Sequence, residues 1–131
     1  MKKYLLIDDE EIFNFIQSEV IHNFISESET ITYSSASEAI EYLKACFKKA
    51  EKCPDFIFLD VRMPEMDGFA FLEKLSEFDP RFFNCTQIFM LSSTIDERDK
   101  QRAFSYPFVK DFLEKPLSEE ILNQINNTSI S

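Results

Sequence analysis

The chain of 131 residues contains a single glycine, Gly68, and no tryptophan. Glycine-rich phosphate loops need several glycines, so neither a P-loop nor a dinucleotide-binding fingerprint can be written in this sequence. One histidine and three cysteines without a CxxC spacing exclude an ordinary Cys/His zinc site. The three thiols instead predict small, at least half-buried side chains in a reducing compartment.

Long apolar runs are also missing. The longest extend over about four residues, which is too short for a membrane span or for the apolar core of an export signal. We therefore expect a cytoplasmic protein without a membrane partner.

Acids outnumber bases by 24 to 14, giving a net charge of −10. That charge disfavours direct binding to nucleic acid, which is a polyanion.

The remaining composition is typical of one globular domain. Hydrophobic residues make up 44% and charged residues 29% of the sequence, which are ordinary values for a folded domain. The length predicts a single domain over residues 1–131, and the polar stretch 126–131 reads as a tail.

Five short apolar runs alternate with segments of helical spacing. The runs that predict strands are Tyr4–Ile7, Ile31–Tyr33, Phe56–Leu59, Ile88–Leu91 and Phe112–Leu113. Strands that alternate with helices indicate an α/β fold with a parallel sheet covered on both faces. Of the few topologies that right-handed crossovers leave, we expect a five-stranded doubly wound, flavodoxin-like sheet in the order 2-1-3-4-5, flanked by five helices.

Apolar spacing and capping residues predict where the helices lie. In the first helix, the apolar stripe consists of Phe13, Ile16, Val20 and Phe24. Two capping boxes are expected, with Ser35 paired to Glu38 and Thr94 paired to Glu97. Ser118 is expected to cap the last helix, with a hydrophobic staple between Leu117 and Leu122.

Polar residues follow four of the predicted strands, where ligands bind in an open parallel sheet. The first strand ends in Asp8-Asp9-Glu10, the third in Asp60, the fourth in Ser92 and the fifth in Lys115-Pro116. Each group alone has a plainer interpretation as a turn former, a helix cap or a solvated charge. Together they predict one crevice.

The chemistry of such a crevice follows from its charge. Carboxylates about 4 Å apart repel by roughly 4 kcal/mol at an effective dielectric near 20, so three of them take up protons or recruit a cation. Magnesium suits such a site because it accepts few protein carboxylates and shares oxygens with phosphate. An Asp nucleophile beside a Lys and a hydroxyl points to phosphoryl transfer.

Four segments resemble the motifs of response-regulator receiver domains, of the stand-alone, CheY-like type. The segment Phe58-Leu59-Asp60-Val61-Arg62-Met63-Pro64-Glu65-Met66-Asp67-Gly68 is similar to their phosphoacceptor loop. The motifs Leu5–Glu10, Ile88–Ser93 and Phe112–Pro116 resemble their acidic pair, hydroxyl strand and Lys-Pro strand. The resemblance covers Lys3 to about Asn126.

The resemblance implies a role for each matching residue. Asp60 would accept a phosphoryl group, and Mg²⁺, or Mn²⁺ in its place, would bind to Asp9, Asp60 and the backbone carbonyl of Arg62. Asp8 would bind the metal mostly through water, while Lys115 would pair with Asp60 or with its phosphate.

Further implied roles concern switching. Ser92 would hydrogen-bond the phosphoryl group, and Phe112 would then swing inward as an aromatic switch. The Lys115–Pro116 peptide would be cis. Arg62 and Thr94 occupy positions that tune phosphate lifetime in the family, and the bulky cation at Arg62 suggests slow self-dephosphorylation.

The implied partners are a sensor histidine kinase or a histidine phosphotransfer protein, and an unnamed downstream protein. We expect a monomer or a weak phosphorylation-dependent dimer without conventional substrate turnover. Two alternatives stay open. One is a phosphohydrolase with an Asp nucleophile on a related fold, although Glu10 stands where the second Asp of its DxD motif belongs. The other is a protein-binding module that works without phosphorylation.

Overall fold

The computed structural model describes residues 1–49 and 52–130, without the side chains of 127–130. Strands and helices alternate along the chain, as the sequence predicted. The five strands are β1 (Lys2–Ile7), β2 (Ser28–Tyr33), β3 (Phe56–Asp60), β4 (Gln87–Ser92) and β5 (Val109–Glu114). The helices are α1 (Glu11–Phe24), α2 (Ala36–Lys48), α3 (Gly68–Leu75), α4 (Glu97–Phe104) and α5 (Glu119–Ile130), with a short 3₁₀ helix at Pro80–Asn84.

The strands form one parallel sheet in the order β2-β1-β3-β4-β5, which confirms the predicted topology. Every residue of β3 is buried, because this central strand has a layer of side chains on each of its faces. The order places β1 and β4 on either side of β3, so the ends of these three strands lie next to one another.

The core has two layers, one on each face of the sheet. Alternate residues of β1 and β3, such as Leu5 and Ile57, join apolar residues of α2 and α3 in one cluster. Their neighbours along the strands, such as Phe56 and Phe58, pack with residues of α1 and α5 in the other. This division follows from the twofold alternation of side chains along a strand.

Three of the capping expectations hold. The Oγ of Ser35 accepts a hydrogen bond from the backbone N–H of Glu38 at 3.3 Å, which satisfies a free donor at the start of α2. Ser118 accepts from the N–H of Ile121 at the start of α5. Leu117 and Leu122 are both buried in the same cluster, as a staple requires.

The expected capping box at Thr94 and Glu97 is wrong. The N-cap of α4 is Asp96, whose carboxylate accepts a hydrogen bond at 2.8 Å from the N–H of Arg98. An aspartate at this position adds negative charge to the positive end of the helix dipole. The helix therefore starts at Glu97, three residues after Thr94.

The apolar stripe predicted for α1 is wrong for Ile16 and Phe24, whereas Phe13 and Val20 are half-buried. The residues that α1 buries are Asn14, Gln17 and Ile21, whereas Ile16 and Phe24 are 46% and 47% exposed. The buried set has the same i, i+3, i+7 spacing, so the helical period was predicted correctly and its face was not. The two buried amides are hydrogen-bonded to the backbone of other segments, which lets them replace apolar residues in the interior.

The tail predicted at 126–131 is wrong for most of its length. The backbone of α5 is helical to Ile130, and the amide of Asn126 donates hydrogen bonds to the Tyr4 hydroxyl at 3.1 Å and to Leu122 O at 2.9 Å. These contacts favour continuing the helix past the polar residues. Ser131 lies outside the described residues.

Candidate functional site

Three carboxylates meet at the carboxyl end of the sheet. Asp8 and Asp9 follow β1, and Asp60 is the last residue of the neighbouring β3. One carboxylate oxygen from each residue lies within 4.8 Å of those of the other two. Asp8 and Asp60 are buried, while Asp9 is partly exposed. The structure thus brings together the three acids that the sequence placed at a metal site.

Lys115 supplies a positive charge to this cluster from the end of β5. Its Nζ lies 2.7 Å from Asp8 Oδ2 and 2.9 Å from Asp60 Oδ1. The ring of Phe13 covers the same ammonium, with its centroid 4.5 Å away. Burial opposes the charge, but the hydrogen bonds to the two carboxylates outweigh it and raise the pKa of Lys115. The peptide bond that follows, Lys115–Pro116, is cis.

Asp60 is the carboxyl whose ionisation the environment disturbs most. The pKa of Asp60 is raised to about 6. Burial is the largest cause and the negative charge of Asp8 adds to it, while the hydrogen bond from the Lys115 ammonium lowers the pKa and offsets part of the rise. Asp60 is consequently ionised at neutral pH, but its charge costs free energy. Three carboxylates beside one ammonium leave two negative charges uncompensated, which is the charge of one divalent cation.

Asn14 supports the acidic loop, and sequence reasoning missed it. Its side-chain N–H₂ donates to the carbonyl of Asp8 at 2.9 Å and to that of Tyr33 at 3.2 Å, so it joins the ends of β1 and β2. The N–H of Glu10 donates to Asp8 Oδ1 at 3.0 Å. One feature of the sequence could have indicated that Asn14 is buried. Asn14, Gln17 and Ile21 have the same helical spacing as the predicted apolar stripe and form a second face of α1.

Gly68 opens α3 directly behind the phosphoacceptor-like loop, and its N–H donates to Val61 O at 2.9 Å. A Cβ at this position would lie 2.6 Å from the carbonyl oxygen of Asp60 and 2.7 Å from Met90 Cε. Its φ is not in the left-handed region, so the requirement for glycine comes from close approach. The only glycine of the chain thereby lets α3 pack against the backbone that carries Asp60.

Ser92 ends β4 as predicted, but its hydroxyl faces the following loop. Its Oγ donates a hydrogen bond to the carbonyl of Thr94 at 2.5 Å, and the side chain of Thr94 is exposed. The hydroxyl that the sequence assigned to phosphoryl binding is therefore occupied by the β4–α4 loop in this conformation.

The structure shows where the side chains of Phe112 and Arg62 lie. The ring of Phe112 lies inward, only 4% exposed, in the cluster on the α2–α3 face, and its role as an aromatic switch stays a prediction. A phenyl ring has no hydroxyl to keep in water, and burial favours this position. The Arg62 side chain extends toward α4, where its Nη2 lies 2.7 Å from Asp99 Oδ2.

An open cavity of about 400 Å³ borders the acidic cluster. Its lining comes from Asp9, from the loop between β2 and α2, and from the loop after Asp60, through Ser34–Ser37 and Met63–Met66. The partly exposed Asp9 faces this space, which is large enough to admit a side chain of another molecule. The site is thus accessible from the edge near β2.

The fold and the site agree with a known family. A family model described as the response regulator receiver domain matches residues 4–126. The chain belongs to this family. The match includes all of the receiver domain's candidate site residues, from Asp8 to Pro116.

Individual relatives of the receiver domain are consistent with this assignment. The chemotaxis protein CheY of Bacillus subtilis is 32% identical over 88 residues, which are 65% of this chain and 68% of that protein. A crystal structure of a two-component response regulator from Cytophaga hutchinsonii superposes with a TM-score of 0.87 at 27% identity, covering 99% and 97% of the two chains. The sensor histidine kinase CheAY of Helicobacter pylori is 28% identical over 63% of this chain, but the chain spans only 10% of that protein.

Mg²⁺ fits the acidic cluster of this receiver domain. Hard divalent cations take oxygen ligands, and the cluster offers carboxylate oxygens in mutual reach, with an excess of two negative charges.

The three cysteines are free thiols. Cys46 is buried and Cys53 is half-buried, as expected, whereas Cys85 is exposed, which the sequence did not predict. No helix of the described part has the length and apolar character to cross a membrane.

Proposed function

We propose that this receiver domain accepts a phosphoryl group on Asp60 from a phosphohistidine of a partner protein, in a reaction that depends on Mg²⁺. The observation that carries the proposal is the position of Asp60. It is a buried carboxylate that ends β3 within reach of two further carboxylates and 2.9 Å from the Lys115 ammonium.

The residues that would hold the metal are Asp9, Asp60 and the backbone carbonyl of Arg62, with Asp8 acting mostly through water. Bound there, Mg²⁺ or Mn²⁺ would neutralise the excess negative charge, so that a phosphoryl group can approach. Asp8 has a second task, because its Oδ2 holds the Lys115 ammonium at 2.7 Å. Asp8 therefore positions the fixed positive charge of the site.

In the transfer step, an Oδ atom of Asp60 forms a bond to phosphorus while the bond from phosphorus to the histidine nitrogen breaks. The imidazole keeps the electron pair of the broken bond, and Asp60 becomes an aspartyl phosphate. Lys115 can stay in contact with the oxygens of Asp60 throughout and offset the charge on the phosphoryl group. A pKa of about 6 leaves Asp60 ionised, and thus nucleophilic, at neutral pH.

The phosphoryl group then shifts a conformational equilibrium through differential contacts. The Ser92 hydroxyl at the end of β4 can change its hydrogen-bond acceptor, since it now donates to Thr94 O. Transfer of that hydrogen bond to a phosphoryl oxygen would free the β4–α4 loop. The altered surface would signal to a separate protein, and the chain would act as a monomer or as a weak phosphorylation-dependent dimer.

An exposed apolar face on α1 supports docking of the phosphodonor beside the site. Ile12, Phe15 and Ile16 lie at i, i+3 and i+4 and are 77%, 63% and 46% exposed. This α1 apolar face begins three residues after Asp9. Exposed apolar patches of this kind mark protein interaction sites, and we assign it to the sensor histidine kinase or phosphotransfer protein.

A small phosphodonor such as acetyl phosphate tests the reaction without a partner. Wild type should gain an acid-stable, hydroxylamine-labile phosphate with Mg²⁺ and none with a chelator, while Asp60→Asn should gain none. Asp111→Asn, which removes an exposed carboxylate from β5, is the matched control and should label like wild type. Equal labelling of Asp60→Asn and wild type would refute the assignment.

Two further outcomes separate the alternatives. Turnover of a generic phosphate ester at enzymatic rates would favour the phosphohydrolase. Normal partner binding by Asp60→Asn would favour the phosphorylation-independent module.

Phe15→Ser tests the docking surface, because it should slow transfer from a phosphohistidine protein while leaving labelling by acetyl phosphate unchanged.

A further inference from the structure

The Arg62–Asp99 ion pair connects the loop after Asp60 to α4. Arg62 Nη2 donates to Asp99 Oδ2 at 2.7 Å. The Arg62 side chain is 71% exposed and that of Asp99 is 16% exposed, so the carboxylate is held against the protein while the guanidinium is largely in water. Such a guanidinium stays in water when it changes partners, whereas the Asp99 carboxylate would lose its ion-pair partner.

α4 buries little of its side-chain surface against the domain. Ala103 is its one buried residue, and the Arg102 guanidinium lies over the ring of Phe69 in α3, 4.2 Å from its centroid. The charged residues along the rest of the helix face water. The ion pair with Arg62 adds a contact between the first turn of α4 and the loop after Asp60.

We propose that Asp99 is a positioning residue that holds the Arg62 guanidinium on α4 and away from Asp60 until a phosphoryl group arrives. This inference rests on the proposed phosphorylation of Asp60. The phosphoryl dianion then competes with Asp99 for the guanidinium. When Arg62 changes partners, the start of α4 loses its ion pair with the loop after Asp60. The guanidinium then lies over the phosphoryl group and pairs with its oxygens.

Physical arguments support the exchange. Two residues of extended chain span at most roughly 7 Å, so a long arginine side chain two positions from Asp60 can reach a group bonded to that carboxylate. A phosphoryl group offers a guanidinium paired, parallel acceptors and more negative charge than a single carboxylate oxygen. An exposed ion pair, by contrast, contributes little stability and is screened by salt.

The lifetime of the aspartyl phosphate is the direct test. In self-hydrolysis, water bonds to phosphorus, the bond to Asp60 breaks, and Asp60 leaves as a carboxylate with inorganic phosphate as the product. A guanidinium over the phosphoryl group hinders this attack. Asp99→Asn frees Arg62 for that position, and we expect the half-life to lengthen about two- to fivefold, the factor that corresponds to an exposed ion pair.

Three further variants show whether the effect passes through Arg62. Asp99→Asn should have no effect in an Arg62→Ala background, and Asp99→Glu, which keeps the carboxylate, should restore the wild-type half-life. Glu97→Gln removes the same charge from the same first turn of α4 and should leave the half-life unchanged. The Arg62 Nε–H resonance should also shift when wild type is phosphorylated.

The possible results separate this inference from the function on which it rests. If wild type takes up no phosphate from acetyl phosphate, the proposed function fails and this role fails with it. If wild type is labelled but Asp99→Asn has an unchanged half-life, or lengthens it equally without Arg62, the positioning role alone is refuted.

Discussion

Asp60→Asn should stabilise the metal-free protein, although it removes the proposed phosphoacceptor. Burial raises the pKa of Asp60 from 3.8 to about 6, even with the Lys115 ammonium 2.9 Å away. Asparagine keeps the shape of the side chain and an oxygen for Lys115, but it carries no charge that burial would penalise. The variant is therefore expected to be more stable than wild type above about pH 4, with the full difference reached above about pH 6.

The magnitude follows from the difference between the two pKa values. The folded state binds the Asp60 proton more tightly than the unfolded chain. The stability due to this group is thus fully present below about pH 4 and is lost as the pH rises to about 6. A difference of about two units corresponds to about 3 kcal/mol, or about 10 °C in Tm for a domain of this size. Only 8% of the side chain is exposed, so solvent screens the charge little.

Urea unfolding in the presence of a chelator, followed by far-ultraviolet circular dichroism because the chain lacks tryptophan, measures the difference directly. Asp60→Asn should exceed wild type by about 3 kcal/mol at pH 7.5 and by about 1 kcal/mol at pH 4.5. Mg²⁺ should stabilise wild type at pH 7.5 and have a much smaller effect on the variant, because the metal binds the ionised carboxylate.

Asp111→Asn serves as the control and should change stability little at either pH, since its carboxyl is exposed. The reasoning is refuted if Asp60→Asn and wild type are equally stable at pH 7.5, or if their difference does not shrink at pH 4.5.

Three other substitutions test the surroundings of the site by urea unfolding. Gly68→Ala places a Cβ 2.6 Å from the carbonyl oxygen of Asp60 and should cost about 1–3 kcal/mol; a stability equal to wild type would show that α3 can move away freely. Asn14→Leu removes the side-chain donor to the Asp8 carbonyl and leaves the Tyr33 carbonyl with the Asp8 N–H alone. It should cost about 1–3 kcal/mol, whereas a gain in stability would contradict this. Lys115→Met removes the ammonium that contacts two buried carboxylates and should cost about 3–5 kcal/mol at neutral pH. Mg²⁺ should restore part of this stability. An unchanged unfolding midpoint would mean that Lys115 does not stabilise the charges of Asp8 and Asp60.

The strand order could be predicted because it depends on features that a sequence displays. Runs such as Phe56–Leu59 are apolar at every position, as expected for strands buried on both faces, and the alternation with helices leaves few topologies. The same argument placed Asp60, Ser92 and Lys115 at the ends of neighbouring strands, because parallel strands all end at the same edge of the sheet.

The face of α1 could not be predicted because two sets of residues share one spacing. The more apolar set includes Ile16, which is exposed, and the buried set includes Asn14 and Gln17. Their hydrogen bonds to carbonyls after β1 and β2 and to the Leu117 N–H become visible only in three dimensions. Burial of these amides depends on partners distant in sequence, whereas hydropathy depends on the residue alone.

The positions of the side chains around Asp60 could not be predicted from the sequence either. Position alone suggested that Arg62 faces the site, but Asp99, 37 residues further along the chain, holds its guanidinium on α4. The ring of Phe112 packs inward in a cluster that residues of several strands and helices form together. Such choices among rotamers depend on neighbours contributed by other segments.

The most direct test of the central claim is to locate the phosphate. After labelling by acetyl phosphate with Mg²⁺, borohydride reduces an aspartyl phosphate to homoserine, which peptide mass spectrometry can place in the sequence. The account predicts homoserine at position 60 and nowhere else, and none when a chelator is present. Homoserine at another aspartate, or unmodified Asp60 in a protein that carries phosphate, would contradict it.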